Sequence, residues 1–164
     1  LGKSCKEIEK LIIKYVNKER RKKDIHKLRS SKFLKNIAIN HSHDMIDSKH
    51  IYHGDGVRNA LKYNPIYERS KGVVKKLLKF LFLFITPSNA GCASGENVAM
   101  MPKGKVKGYK KEIKSDKDIA YALFKNWLNS PGHRRNMLSS NFSHIGVGVR
   151  RRKNYFYATQ LFYG

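Results

Sequence analysis

Three residues set the chemical question. His53 sits in Tyr52-His53-Gly54-Asp55-Gly56, a turn-forming stretch. Glu96 sits in Gly95-Glu96-Asn97, just ahead of a strand predicted over Val98 to Met101. His133 falls in the first turn of a helix opened by Ser130-Pro131. A helix N-terminus carries partial positive charge and disfavours imidazolium. Neutral imidazole is the form that ligates metal or takes up a proton. Two imidazoles and a carboxylate support two kinds of chemistry. They can hold a divalent transition metal with positions left open for water or a ligand, or they can transfer protons in a hydrolysis. The spacing 53, 96, 133 is irregular, unlike the compact HExxH helix of a metalloprotease, so only folding can bring the three together. His41, His43, His50 and His144 read as polar surface residues. Ser42 and Asp44 read either as exposed helix positions or as outer partners of the site.

The elements that must position these residues follow from periodicity. Ile8, Leu11, Ile12, Tyr15 and Val16 form the apolar stripe of a first helix, with Ser4 as its N-cap. Asn17 to Arg20 close that helix, and their charged and amide groups are read as structural ties to nearby loops. A second helix is predicted from Ser31 to about Lys49, with Phe33, Leu34, Ile37, Ala38, His41 and Met45 inward. Ser115 and Asp118 make a capping box for a third helix, in which Ile119, Leu123 and Trp127 share a buried face. A fourth, short helix runs from Ser130-Pro131 through Leu138. Ile145 to Val149 and Tyr155 to Phe162 are rich in β-branched and aromatic residues and predict strands, joined by a hairpin turn at Arg151 to Asn154. Helices first and a small antiparallel sheet later indicate an α+β fold.

Composition narrows the class. The chain has 164 residues, with 35 Lys and Arg against 12 Asp and Glu, a formal net charge of +23. Its length suits a single domain over residues 1–164. A content of 40% hydrophobic residues excludes a disordered polyelectrolyte. Phe80 to Ile85 is the longest apolar run, far short of the ~20 residues that span a bilayer. Basic residues concentrate at 20–23, 103–111 and 150–153. They are read first as a solvated surface and second as a site for anionic surfaces or polymers, and no sequence-reading nucleic-acid motif accompanies them. The chain starts at Leu1, so an N-terminal signal or anchor is expected to be missing. Cys5 and Cys92 are either one disulfide or two separate thiols. Lys71 to Ile85 alternates basic and apolar residues. It is read as a buried or capping helix, or as a lipid- or partner-facing patch that would use Leu77, Phe80, Phe82 and Phe84.

In order along the chain, VNKERRKKDIHKL (16–28), INHSHDM (39–45), His53, GENVAM (95–100), WLNSPGHRRNML (127–138), IGVGV (145–149) and YATQLF (157–162) resemble the CAP superfamily of cysteine-rich secretory, antigen 5 and pathogenesis-related proteins. The nearest likeness is to its prokaryotic SCP-like branch. The resemblance implies a three-layer α-β-α sandwich with a small central antiparallel sheet, secretion or surface display, and a cleft in which His53, Glu96 and His133 match the family's metal-site residues. It implies zinc as the cofactor, ligated by His53 and His133, with Glu96, Ser130 and Asp44 behind them. Many eukaryotic members carry a second Glu where this chain has Ser130, which leaves the carboxylate pair incomplete. The interval between His53 and Glu96 implies an insertion around residues 65–94, and sterol- or fatty-acid-binding relatives make it a candidate lipid contact.

Taken together, these features predict a secreted or surface-displayed module that binds a ligand or partner and carries a weak zinc-type site. Catalysis is not the favoured reading. The alternatives are a metal- or His/Glu-dependent hydrolase and a protein that binds polyanions or anionic membranes.

Overall fold

In a computed structural model, residues 3–54 and 93–164 of the chain are described. Helix α1 spans Lys3–Arg21 and places Ser4 one residue inside rather than at the cap. Helix α2 spans Lys32–Ser48, after a two-residue strand β1, Arg29–Ser30. Its N-cap is Ser31, whose hydroxyl accepts the Leu34 N–H. Strand β2 runs Ser94–Pro102, helix α3 Asp116–Asn129, helix α4 Pro131–Leu138, strand β3 His144–Arg152 and strand β4 Tyr155–Tyr163. The predicted capping box is present: Ser115 accepts from the Asp118 N–H while the Asp118 carboxylate accepts from the Ser115 N–H.

The sheet order is β1-β3-β4-β2. β3, β4 and β2 pair antiparallel as expected, and the short β1 adds a parallel edge to β3. The hairpin is tighter than predicted, because β3 continues to Arg152 and only Lys153 and Asn154 turn. β2 also begins earlier than predicted, so Glu96 lies inside a strand, opposite Leu161 of β4.

Helices cover both faces, giving three layers. On β4, Phe156, Ala158 and Phe162 pack into the core formed with α1 and α3, while Leu161 packs on Leu34 and Ala38 of α2, and Tyr157 on Met45. This is the two-residue alternation of a strand buried on both sides. On β3 the side toward α2 is occupied by Gly146 and Gly148. A Cβ on Gly148 would meet the backbone of Ala38 and Ile39, and one on Gly146 the backbone of Leu34 and Lys35, so glycine lets the helix lie directly on the sheet. Ser42, fully buried, donates to Gly148 O at 3.0 Å and shares a hydrogen bond with Thr159 Oγ1 at 2.9 Å. It therefore fastens α2 to the sheet and is no part of the cleft.

The basic stretch 20–23 splits on folding. Arg20 is fully buried. Its guanidinium donates to His26 O, Met137 O, Ser139 O and Phe142 O at 2.8–3.2 Å. Asn17 makes a two-way bond with the backbone of Leu28, at 3.0 and 2.8 Å. The end of α1 is thus the structural tie that its residue types suggested. Trp127 is core, as read, with its indole N–H donating to Val98 O at 3.1 Å. Cys5 is buried in the core, while Cys92 lies outside the described residues. So do Leu77, Phe80, Phe82 and Phe84, together with nearly all of the predicted insertion.

Candidate functional site

The three predicted residues meet at the outer edge of β2. Among the described residues this strand pairs on one side only, with β4. Successive side chains of a strand point to opposite faces, so Glu96 and Asn97 leave the edge strand in opposite directions. Glu96 turns toward α2. Asn97 turns toward α4, where its amide donates to His133 O and to Gln160 Oε1, both at 3.0 Å. Asn136 completes the tie by donating to Glu96 O at 3.1 Å and to Asn97 Oδ1 at 2.9 Å. These bonds fix the short helix that carries His133 against the strand that carries Glu96.

Glu96 is the centre of the cluster. Its side chain is only 10% exposed, against 62% for His53. One carboxylate oxygen, Oε1, accepts the Gly54 N–H at 2.8 Å and lies 3.1 Å from His53 Nδ1. The other, Oε2, lies 3.9 Å from His41 Nε2. A carboxylate accepts, so His53 Nδ1 carries the hydrogen, and in the neutral ring the lone pair sits on Nε2. This is the outer-partner arrangement that orients a metal-ligating or proton-accepting histidine. Gly54 leaves room for it, since a Cβ there would stand 2.9 Å from the His41 ring.

His133 faces His53 with ring centroids 6.1 Å apart. Its Nδ1 is buried and has no hydrogen-bond partner within the described residues. Its pKa is lowered from the usual imidazole value, first by burial and then by the charge of His53. The expectation of a neutral imidazole thus has a cause beyond the helix terminus.

His41 differs from its sequence reading as polar surface. Its side chain is 11% exposed, donates to Tyr52 O at 3.0 Å and stands edge-on to the Tyr52 ring. Its place on the inner face of α2 was the signal that could have found it. Asp44 is exposed on α2 and acts at a distance: with burial and Glu96 it raises the pKa of Tyr52. Ser130 takes the extended N-cap conformation of α4, yet its side chain makes no capping bond. His43 pairs with Asp47 in solvent, and His50 bonds the Ser48 carbonyl.

The sequence matches the CAP family, the cysteine-rich secretory protein family, over residues 13–162. The chain belongs to this family. Protein YkwD of Bacillus subtilis is 30% identical over 140 residues, which are 85% of this chain and 41% of YkwD. The membrane protein YlbC of the same organism is 49% identical over 41 residues, 25% of this chain and 11% of its own length. The chain therefore spans less than half of each of these relatives. An extracellular protein of Bacillus anthracis containing an SCP domain has the same fold, with a TM-score of 0.58, 23% identity, and coverage of 96% of this chain and 40% of that one. An outer surface protein of Borrelia burgdorferi aligns with a TM-score of 0.61, 16% identity, and coverage of 96% of this chain and 92% of that one.

The family implies a divalent metal in this CAP cleft, and the donor set bears on whether it fits. Among the described residues no three or more His, Cys, Asp and Glu side chains gather into a metal-holding group. The Glu96 carboxylate is already engaged by Gly54 and His53. What remains are two imidazoles, one oriented by a carboxylate and one with an orphaned buried nitrogen. That set falls short of the four-ligand closure of a structural zinc site.

Proposed function

We propose that this chain is an exported CAP module that binds a ligand in the cleft at the edge of β2, and that the cleft takes up a divalent cation of the zinc type through His53 and His133. Glu96 is the positioning group, holding the His53 ring by its Nδ1–H. The observation that carries the reading is the juxtaposition of His53 and His133 at 6.1 Å with His133 Nδ1 left buried and unpaired. A buried polar atom without a partner costs free energy unless something satisfies it. An ion or ligand polar group in the cleft would do so. Two protein donors leave coordination positions for that ligand, which the ion would polarise when bound. Export is supported by the extracellular and outer-surface solved relatives. No helix among the described residues is long and apolar enough to cross a membrane.

Titration calorimetry with zinc tests the cleft. Glu96→Gln, which removes only an orienting partner, should weaken binding by about 10- to 100-fold, and His53→Ala and His133→Ala, which each remove a donor, should weaken it by more. Binding should fall on acidification, because protons compete with the ion for its donors. Equal zinc affinity in the wild type and both histidine variants would remove the cation from the reading.

A further inference from the structure

We infer that the end of the sheet opposite the cleft is a second binding site, for a linear polyphosphate, a narrow chain of linked phosphates without stacking bases. Two of the basic stretches, far apart in sequence, meet there. Lys103 N–H donates to Asn154 O at 2.7 Å, which ties the loop after β2 to the Arg151-Arg152-Lys153 hairpin. The loop has its own frame. Gly104 and Ile113 exchange backbone hydrogen bonds at 2.8 and 2.9 Å, Tyr109 N–H closes a turn on Val106 O, and the Tyr109 hydroxyl donates to Ala122 O of α3 at 3.1 Å. Ile113 anchors its far end in the core. The lysines therefore project from a held scaffold.

Lys105, Lys107, Lys110 and Lys111 line a hollow of about 370 Å³ together with Val106, Tyr109 and Glu112. Loop and hairpin together carry nine Lys and Arg over 103–114 and 151–153, against the single carboxylate of Glu112. That carboxylate is paired with Lys114 at 2.9 Å. The acids that follow are Asp116 and Asp118 in the first turn of α3, and Asp118 Oδ2 accepts from the Ser115 N–H and hydroxyl at the cap. Glu96 and Pro102 lie six residues apart on β2, so the end of the strand from which this loop departs is about 20 Å from Glu96. The cleft chemistry does not account for the hollow.

The shape and the residue types choose the partner. A concave wall of lysines admits a narrow anionic chain and keeps a flat bilayer away from its base. Among the described residues the exposed large apolar side chains are Ile51, Tyr52, Tyr121 and Tyr155; Tyr155 stands at this end of the sheet, opposite Pro102 and Arg152, but it does not line the hollow, which itself holds none of them to insert into lipid. Tyr109 is half-buried with its hydroxyl engaged, so the hollow offers no free aromatic platform for bases. Lysines are point charges that hold phosphates without the bidentate reading that arginine gives.

Fluorescence anisotropy with end-labelled inorganic polyphosphate as the probe tests this site. A variant with Lys105→Gln, Lys107→Gln, Lys110→Gln and Lys111→Gln should lose at least tenfold in affinity. Its plot of log affinity against log salt should flatten by about 0.7 per phosphate contact removed. The control, with Lys18→Gln, Arg21→Gln, Lys23→Gln and Lys27→Gln around the far end of α1, removes the same formal charge and should stay within about twofold. Replacing the four hollow lysines by Arg should preserve binding within about threefold, which separates lost charge from lost folding. Equal losses in the two Gln variants would overturn the site in favour of a general charge field. Tighter binding of single-stranded DNA with the same number of phosphates would overturn it in favour of a base-stacking partner. Capture by phosphatidylglycerol vesicles without polyphosphate binding would overturn it in favour of a membrane.

Discussion

Two buried polar centres lie at the two ends of one short helix, and they are built on opposite principles. At the C-terminal end of α4, Arg20 spends its guanidinium on four backbone carbonyls, two of them at Met137 and Ser139, where the helix ends. Carbonyls in a helix's last turn lack intrahelical partners, so Arg20 acts as a remote C-cap. At the N-terminal end, His133 has its carbonyl held by Asn97 while its Nδ1 is buried without a partner. Saturation marks the first centre as scaffold. The open valence marks the second as a place where something binds. Burial and polarity are common to both, so neither property alone identifies a site.

The scaffold end should yield the largest effect. Arg20→Met removes the donor and strands several buried carbonyls. A loss of about 3–5 kcal/mol is expected, the range for breaking a buried charged network from one side. Urea unfolding measures it. A loss under about 1 kcal/mol would mean that water replaces the guanidinium and that this end is no more saturated than the other. Next in size is Asn97→Ala, which cuts the link between β2 and α4 and leaves Gln160 Oε1 and His133 O without that donor. About 2 kcal/mol is expected, from the cost of buried unsatisfied groups. Zinc affinity should fall with it although Asn97 is not a ligand, because the helix carrying His133 is released. A stable Asn97→Ala protein with unchanged zinc affinity would show that α4 holds its place without the amide network.

Much of this was legible in the sequence, for identifiable reasons. The four described helices declare themselves through apolar stripes and caps, such as Ser31 and the Ser115–Asp118 box, which are local signals. The positions of His53, Glu96 and His133 were legible only as an ordered set of motifs, since nothing in their spacing says that they converge. The start of β2 was missed because Ser94, Gly95, Glu96 and Asn97 are poor strand formers. Their register comes from pairing with Tyr163 to Gln160 of β4, which is a long-range effect. Arg20 resembles its exposed neighbours Arg21, Lys22 and Lys23, and its partners lie up to 122 residues away. Glu9 has the same character: it is buried, accepts the Val149 N–H and pairs with Lys35 at 2.6 Å, none of which a helix pattern discloses.

The smallest effect is the most diagnostic of the open end. If His133 serves a ligand rather than the fold, His133→Gln should change stability at pH 7.5 by no more than about 1 kcal/mol, as substitutions outside packed or saturated networks do. Its pH dependence carries the sign. Burial and the charge of His53 hold the folded pKa of His133 below its ordinary value of 6.5. Between those two values the unfolded chain binds more protons than the folded one, so the contribution of the neutral ring is present above about pH 6.5 and is lost as the pH falls through the folded pKa. The stability of the wild type relative to His133→Gln should therefore decline on acidification through that window, followed by paired thermal melts in zinc-free buffer. Growth of the difference at low pH would mean that the folded protein stabilises imidazolium, with the Glu96 carboxylate outweighing burial. The cleft would then be a charge-paired structural centre like Glu9 with Lys35, and the contrast between the two ends of α4 would collapse.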